Sequence, residues 1–164
     1  DYMANGRFSR GVTQVLADAS LVFIGNLNQP VESLVRNSAT DLFQPLPKEF
    51  DLALLDRMHF YLPGWEVPKN SKDMLTVHYG FVTDYLAEAF RALRKQNRFD
   101  EAERVFRFGS HVEGRDATAA KKTVSGLLKI LHPGGGWTKE ELTEYVELAM
   151  EGRRRVKEPS LIHI

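Results

Sequence analysis

The side chains best suited to chemistry stand at the ends of two apolar runs. Arg57 closes "FDLALLDR" just ahead of "MHFYLPGWE", and Asn26 and Asn28 follow "SLVFIG" in "SLVFIGNLNQP". An arginine at the end of a short helix has two uses. Its charge complements the negative end of the helix dipole, or its planar fork of donors reaches an anion on another molecule. Asn after a strand caps the turn into a loop, and its carboxamide can also donate to, or accept from, a bound group. Basic residues recur in "GRFSRG" with Arg7, Phe8 and Arg10, in "GRDATAAKKT" with Arg115, Lys121 and Lys122, and in "EGRRRVKE" at 151–158. The first is an ordinary hairpin or one that touches a polymer backbone. The second is a solvated helix face or a phosphate contact, and the third complements a helix C-terminus.

Several chemistries are excluded. No Gly-x-x-x-x-Gly-Lys-Ser/Thr motif is present to cradle phosphates, and no acidic pair follows an apolar strand to hold a cation. The His residues at 59, 78, 111, 132 and 163 nowhere share the i, i+4 spacing of a zinc helix, so no metal site is expected. Cys is absent, which removes disulfides, thiolate ligands and thiol nucleophiles and is compatible with a reducing cytosol. No Gly-x-Ser-x-Gly elbow marks a nucleophile. With 22 basic and 22 acidic residues the formal net charge is zero, which argues against a coat for nucleic acid and permits only a local basic patch. No apolar run approaches the length of a membrane span, so the chain reads as soluble and cytoplasmic, with no membrane partner.

The elements that must position these residues follow from periodicity. A composition of 43% hydrophobic residues over 164 fits one globular domain or two small ones. "DYMANG" resembles the tail of a helix, and "GRFSRGVTQVLADASLVFIG" reads as a hairpin leading into a buried strand. "NLNQPVESLVRNSATDLFQPLPKEF" is mostly loop. "DLALLDR" is a short helix, and "MHFYL" a short strand before the Pro63-Gly64 turn. From Ser71 onward the pattern is helical. Leu75, Tyr79, Val82, Leu86, Phe90 and Leu93 mark one face of a first helix of about six turns. "DEAERVFRF" is a shorter one. Ala117, Ala120, Val124, Leu127, Leu128 and Leu131 mark a third that stops at "HPGGG". Thr138 with Glu141 forms a capping box ahead of a fourth, whose apolar face runs Leu142, Tyr145, Val146, Ala149 and Val156. The expectation is a mainly α chain with a small α/β part, divided as 1–66, 67–158 and a tail at 159–164. Both ends look like cuts through a longer polypeptide.

The ordered series "DYMANGRFSRG", "ADASLVFIGNLNQPVESLV", "LLDRMHFYLPGWE", "YGFVTDYLAEAFRALRK", "KKTVSGLLKILHP" and "KEELTEYVELAMEGRRRVKE" resembles the AAA+ ATPases of the Lon-like type, and among them the Lon-like proteins of the BREX phage-defence system. The resemblance covers nearly the whole chain. It implies the C-terminal portion of an AAA+ core, hairpin plus short strands, followed by a helical-bundle lid. It implies that Asn28 is the sensor-1 residue, with Asn26 as its neighbour in register, and that Arg57 is an arginine finger acting in trans, with Asp56 orienting it. The sensor-2 position falls on Ala120 and departs from the pattern, leaving Lys121, or else Arg115 or Lys122. Arg7, Phe8 and Arg10 are implied to face a threaded polymer.

The resemblance further implies ATP and Mg2+ as cofactors of a full-length parent, a homo-oligomeric ring such as a hexamer, and a DNA or protein substrate. The parent would be an ATP hydrolase and an ATP-dependent Lon-type serine peptidase. This chain, without Walker A, Walker B or a Ser-Lys dyad, is expected to bind no cofactor and to be inactive alone. The rival expectation is a stand-alone helical DNA- or protein-binding module in which Asn28 and Arg57 are structural.

Overall fold

A computed structural model describes residues 2–16, 19–30, 32–33, 42–103, 106–110, 112 and 114–157. Among these the chain is rich in helix, with one two-stranded sheet. It separates into two compact units, Asp1–Met58 with Arg154–Ile164, and His59–Arg153.

The first unit begins with helix α1, Tyr2–Asn5, and the hairpin strands β1, Arg7–Arg10, and β2, Thr13–Leu16. The strands are antiparallel, pairing Arg7 with Leu16 and Arg10 with Thr13. Only two residues, Gly11 and Val12, make the turn. Gly11 takes φ +62° and no non-glycine residue among those described has positive φ, the pattern of a II′ loop that matches the strands' own twist. After the hairpin, the Tyr2 hydroxyl accepts from the Ala19 amide at 2.8 Å and donates to the Ala19 carbonyl at 2.5 Å. This ties the chain back to α1.

The expected buried strand at "SLVFIG" does not form. Residues 20–25 have no regular structure, and Val22 and Ile24 are 79% and 93% exposed. A strand must hand its amides and carbonyls to a neighbour, and the hairpin is the sole sheet among the described residues. Two contacts hold part of this run. Phe23 meets Phe50 edge-on at 5.2 Å, and Gly25 lies so close to Pro45 that a Cβ would come within 2.6 Å of its ring. Leu42 and Phe43 are buried in the following turns. The expected loop residues 34–41 lie outside the described residues, as does the tail at 159–164. Helix α2, Leu52–Leu55, forms where the sequence places it.

The second unit holds a 3-10 turn at Lys72–Met74 and helices α3, Thr83–Arg94, α4, Phe99–Glu103, and α5, Gly114–Leu131. It also holds most of α6, Lys139–Lys157. The first long helix starts eight residues later than its apolar spacing suggests. Thr76 Oγ1 accepts the amide of His78 at 3.1 Å, a local turn that competes with helix, and Val77, Gly80 and Val82 are poor helix formers. The capping box forms as read: the Thr138 amide donates to Glu141 Oε2 at 2.7 Å, and the Glu141 amide to Thr138 Oγ1 at 3.2 Å. The backbone bond from Thr138 holds the Glu141 carboxyl below its ordinary pKa.

The core of this unit is Ala120, Val124 and Leu128 of α5 against Leu142 and Ala149 of α6, with Phe106, Phe108, Trp137, Tyr145, Val146 and Met150 around it. Arg98 fastens its edge. Its guanidinium donates to the carbonyls of His132, at 3.2 Å, and Pro133, at 2.5 Å, just past the end of α5. The expected strand at "MHFYL" is also absent. Residues 59–61 pack with the helices instead: the Tyr61 amide donates to the Gly152 carbonyl at 3.0 Å, and the Phe60 ring lies on Gly152.

That last contact sets two effects against each other. Helix propensity favours Gly152→Ala by about 1 kcal/mol, but the added Cβ would stand 2.2 Å from Phe60 ring carbons. Sterics should win, with a net loss of about 1–3 kcal/mol. Urea unfolding would register a lower midpoint; an unchanged or raised midpoint would show that Phe60 moves aside freely.

Candidate functional site

Asp51 caps α2, its Oδ1 accepting the Leu54 amide at 2.7 Å. The helix ends at Asp56, whose amide bonds back to the Leu52 carbonyl at 2.9 Å. Arg57 follows, half-buried, and its Nη1 donates to the carbonyl of Ala53 one turn back. This is the helix-end use that the sequence allows. It occupies one of the guanidinium's donors and leaves its charge at the end of the helix. Asn28 sits exposed at a bend and Asn26 is exposed two residues before it.

Within α5 the basic candidates occupy different environments. Lys121 is engaged: its Nζ lies 2.6 Å from Glu103 Oε1 and 4.4 Å above the Phe99 ring centroid. A lysine paired with a carboxylate and resting on a ring is already neutralised and desolvated on two sides. Arg115 and Lys122 are exposed, and Arg115 belongs to the first turn of the helix. Six residues separate Arg115 from Lys121, so the two leave α5 on different faces.

A pair that the sequence reading passed over lies beside Arg115. Arg153, only 2% exposed, donates from Nε to Asp116 Oδ1 at 2.8 Å. The signal was present in the spacing. Arg153 falls four residues beyond Ala149 and three before Val156, on the same face as the apolar residues of α6, and a charge there must find a partner. His59 is half-buried nearby. Burial lowers its pKa below the ordinary imidazole value, and the charges of Lys122 and Arg153 lower it further.

In the hairpin, alternation puts Arg7 and Ser9 on one face and Phe8 and Arg10 on the other. All four are exposed, and Phe8 also leans edge-on against Tyr2, with centroids 6.4 Å apart. Among the described residues no cluster of His, Asp and Glu gathers to hold a metal ion, and no helix is long and apolar enough to cross a membrane. Asn28, Arg57 and the hairpin belong to the first unit; Arg115, Lys121 and the Asp116–Arg153 pair belong to the second.

Comparison with known proteins adds to this geometry. Residues 1–162 match a family described as "Lon-like protease BrxL-like, ATPase domain". The chain is 49% identical over 160 residues to a Lon-like protease BrxL of Bacillus cereus (strain H3081.97), and 48% identical over 159 residues to one of Escherichia coli O9:H4 (strain HS). Each alignment covers 96% of this chain and 23% of the relative, so the chain spans about a quarter of their length.

The environment of His59 makes stability pH-dependent in a definite direction. Because its folded pKa is lowered from 6.5, the unfolded chain takes up the proton first, and stability falls as pH drops below that value. The stability of wild type relative to His59→Asn should therefore decline between about pH 7 and pH 5. Chemical denaturation across that range would measure it; a constant difference would place His59 in an environment no different from water.

Proposed function

The chain belongs to the ATPase-domain family of Lon-like, BrxL-like proteases, and from that membership we propose that it completes the nucleotide site of an AAA+ ring. Residues 1–66 are the later part of the α/β core and 67–158 the helical lid. The observation that carries the reading is the match of residues 1–162 to an ATPase-domain family. The donors described above supply its chemistry.

Each of those donors, taken by itself, suits a phosphate. Arg57 offers a permanently charged fork, Asn28 a carboxamide at an exposed bend, and Arg115 a second guanidinium at the start of a helix. They do not suit Mg2+, because two of the three are cations and none is a carboxylate. ATP, when bound, supplies the phosphoanhydride whose hydrolysis drives the assembly.

Arg57 reaches the γ-phosphate of ATP held by the neighbouring subunit of a homo-oligomeric ring. To do so it exchanges the Ala53 carbonyl for phosphate oxygens, which carry charge and can accept two parallel bonds from its fork. The contact with Ala53 is thus a parked position. Asn28, or Asn26 in the adjacent register, orients the γ-phosphate or the attacking water. Of the basic candidates on α5, Arg115 is the better phosphate contact, because a guanidinium offers a planar fork of donors to phosphate oxygens where a lysine is a point charge. The exposed hairpin offers Arg7, Phe8 and Arg10 to a DNA or protein polymer that the ring works on.

The decisive variant is Arg57→Ala in the full-length assembly. ATP turnover should fall by about 10³- to 10⁵-fold with the ring and ATP binding retained, and Arg57→Lys, lacking the fork, should not restore it. Turnover within a few-fold of wild type would return Arg57 to helix capping alone.

A further inference from the structure

The apolar contact between α5 and α6 runs along Ala120, Val124 and Leu128 on one helix and Leu142 and Ala149 on the other. One turn beyond Ala120, toward the start of α5, the apolar series ends and Asp116 takes the next position. One turn beyond Ala149, Arg153 does the same on α6, and the two are joined at 2.8 Å. An ion pair therefore stands at the end of the contact where α5 begins, directly beside Arg115 in sequence.

Such a pair is a poor choice for stability alone. Well-packed apolar residues of similar volume usually hold two helices as well or better. A guanidinium instead contributes direction, because its planar donors accept a partner only in certain orientations. The α6 end of the pair is itself held from a second side, since Gly152 carries the Phe60 ring and its carbonyl accepts the Tyr61 amide. Arg153 thus projects from a fixed turn, and Asp116 is the residue it fixes.

We propose that the Asp116–Arg153 pair is a positioning device for Arg115, orienting the first turn of α5 so that the Arg115 guanidinium meets a nucleotide phosphate. The inference rests on the assignment of Arg115 as a phosphate contact. Arg153 touches no substrate in this scheme; it acts through Asp116 and the backbone of that turn. Lys121 lies further along α5, tied to Glu103, and is unaffected by the pair.

The test uses the full-length assembly and ATP. Single substitutions at a buried pair risk unfolding, so the informative variant is Asp116→Leu/Arg153→Met, which keeps volume and removes the directional bond. It should fold, yet kcat/KM for ATP should fall about 10- to 100-fold, mainly through KM, as expected when a binding group is displaced by about an ångström. Leu128→Ala serves as a control for lost packing: its thermal midpoint should drop while KM stays within about twofold.

The same double substitution placed in an Arg115→Ala background should add little further loss, because both changes remove one contact. If it costs the same factor in both backgrounds, the pair does not act through Arg115 and the inference is overturned. If Arg115→Ala alone leaves ATP kinetics unchanged, the assignment of Arg115 falls first, independently of Arg57, and the inference falls with it.

Discussion

A guanidinium held at 2% exposure constrains everything around it. Removing such a charge from water is costly unless a carboxylate and good geometry compensate. Asp116 must therefore lie where Arg153 can reach it, which fixes the approach of α5 to α6 at one end. The neighbouring position must be glycine, since the Phe60 ring occupies the space a Cβ would need. The imidazole of His59, half-buried and with the charges of Lys122 and Arg153 acting on it, is biased toward its neutral form first by burial and then by those charges. At the other end the helices are closed by different means: the Tyr145 hydroxyl and His132 Nε2 lie 2.8 Å apart, and Arg98 holds the carbonyls that follow α5. Between the two polar closures the contact is apolar.

What the sequence made legible were local features with a short-range cause. Thr138 and Glu141 form their capping box because both partners lie within one turn. Gly11 forces a two-residue turn because glycine tolerates its φ. Helices α5 and α6 appear where the 3.6-residue period and the Pro133–Gly136 break put them. Features with a long-range cause were misread. "SLVFIG" has the composition of a buried strand, but composition cannot supply the neighbouring strand that its backbone needs. "MHFYL" has the same texture and instead finds its backbone partner on a helix, at Gly152. The spacing from Leu75 to Val82 suits a helix, yet the Thr76 hydroxyl offers the backbone a competing bond.

The candidate site could be read from sequence as a set of residue types and not as environments. Sequence could say that Arg57, Arg115 and Lys121 are cations. It could not say that Lys121 rests on Phe99 beside Glu103, because those partners lie 18 or more residues away. Nor could it say that Arg57 folds back on its own helix. A lysine enclosed by a ring and a carboxylate and an arginine lying on a backbone carbonyl differ in what they must give up before meeting a phosphate. Arg57 would exchange a neutral acceptor for an anionic one. Lys121 would have to leave an anion that it already has.

The hairpin carries its arginines on opposite faces, a direct result of the two-residue period of a strand. A ribbon of only two strands has unpaired edges on both sides, and such edges tend to recruit copies of themselves. With a cation on each face, stacking one ribbon on another brings like charges together whichever way it is turned. The charges therefore keep such hairpins apart, so that crowding several of them together does not glue them into a sheet.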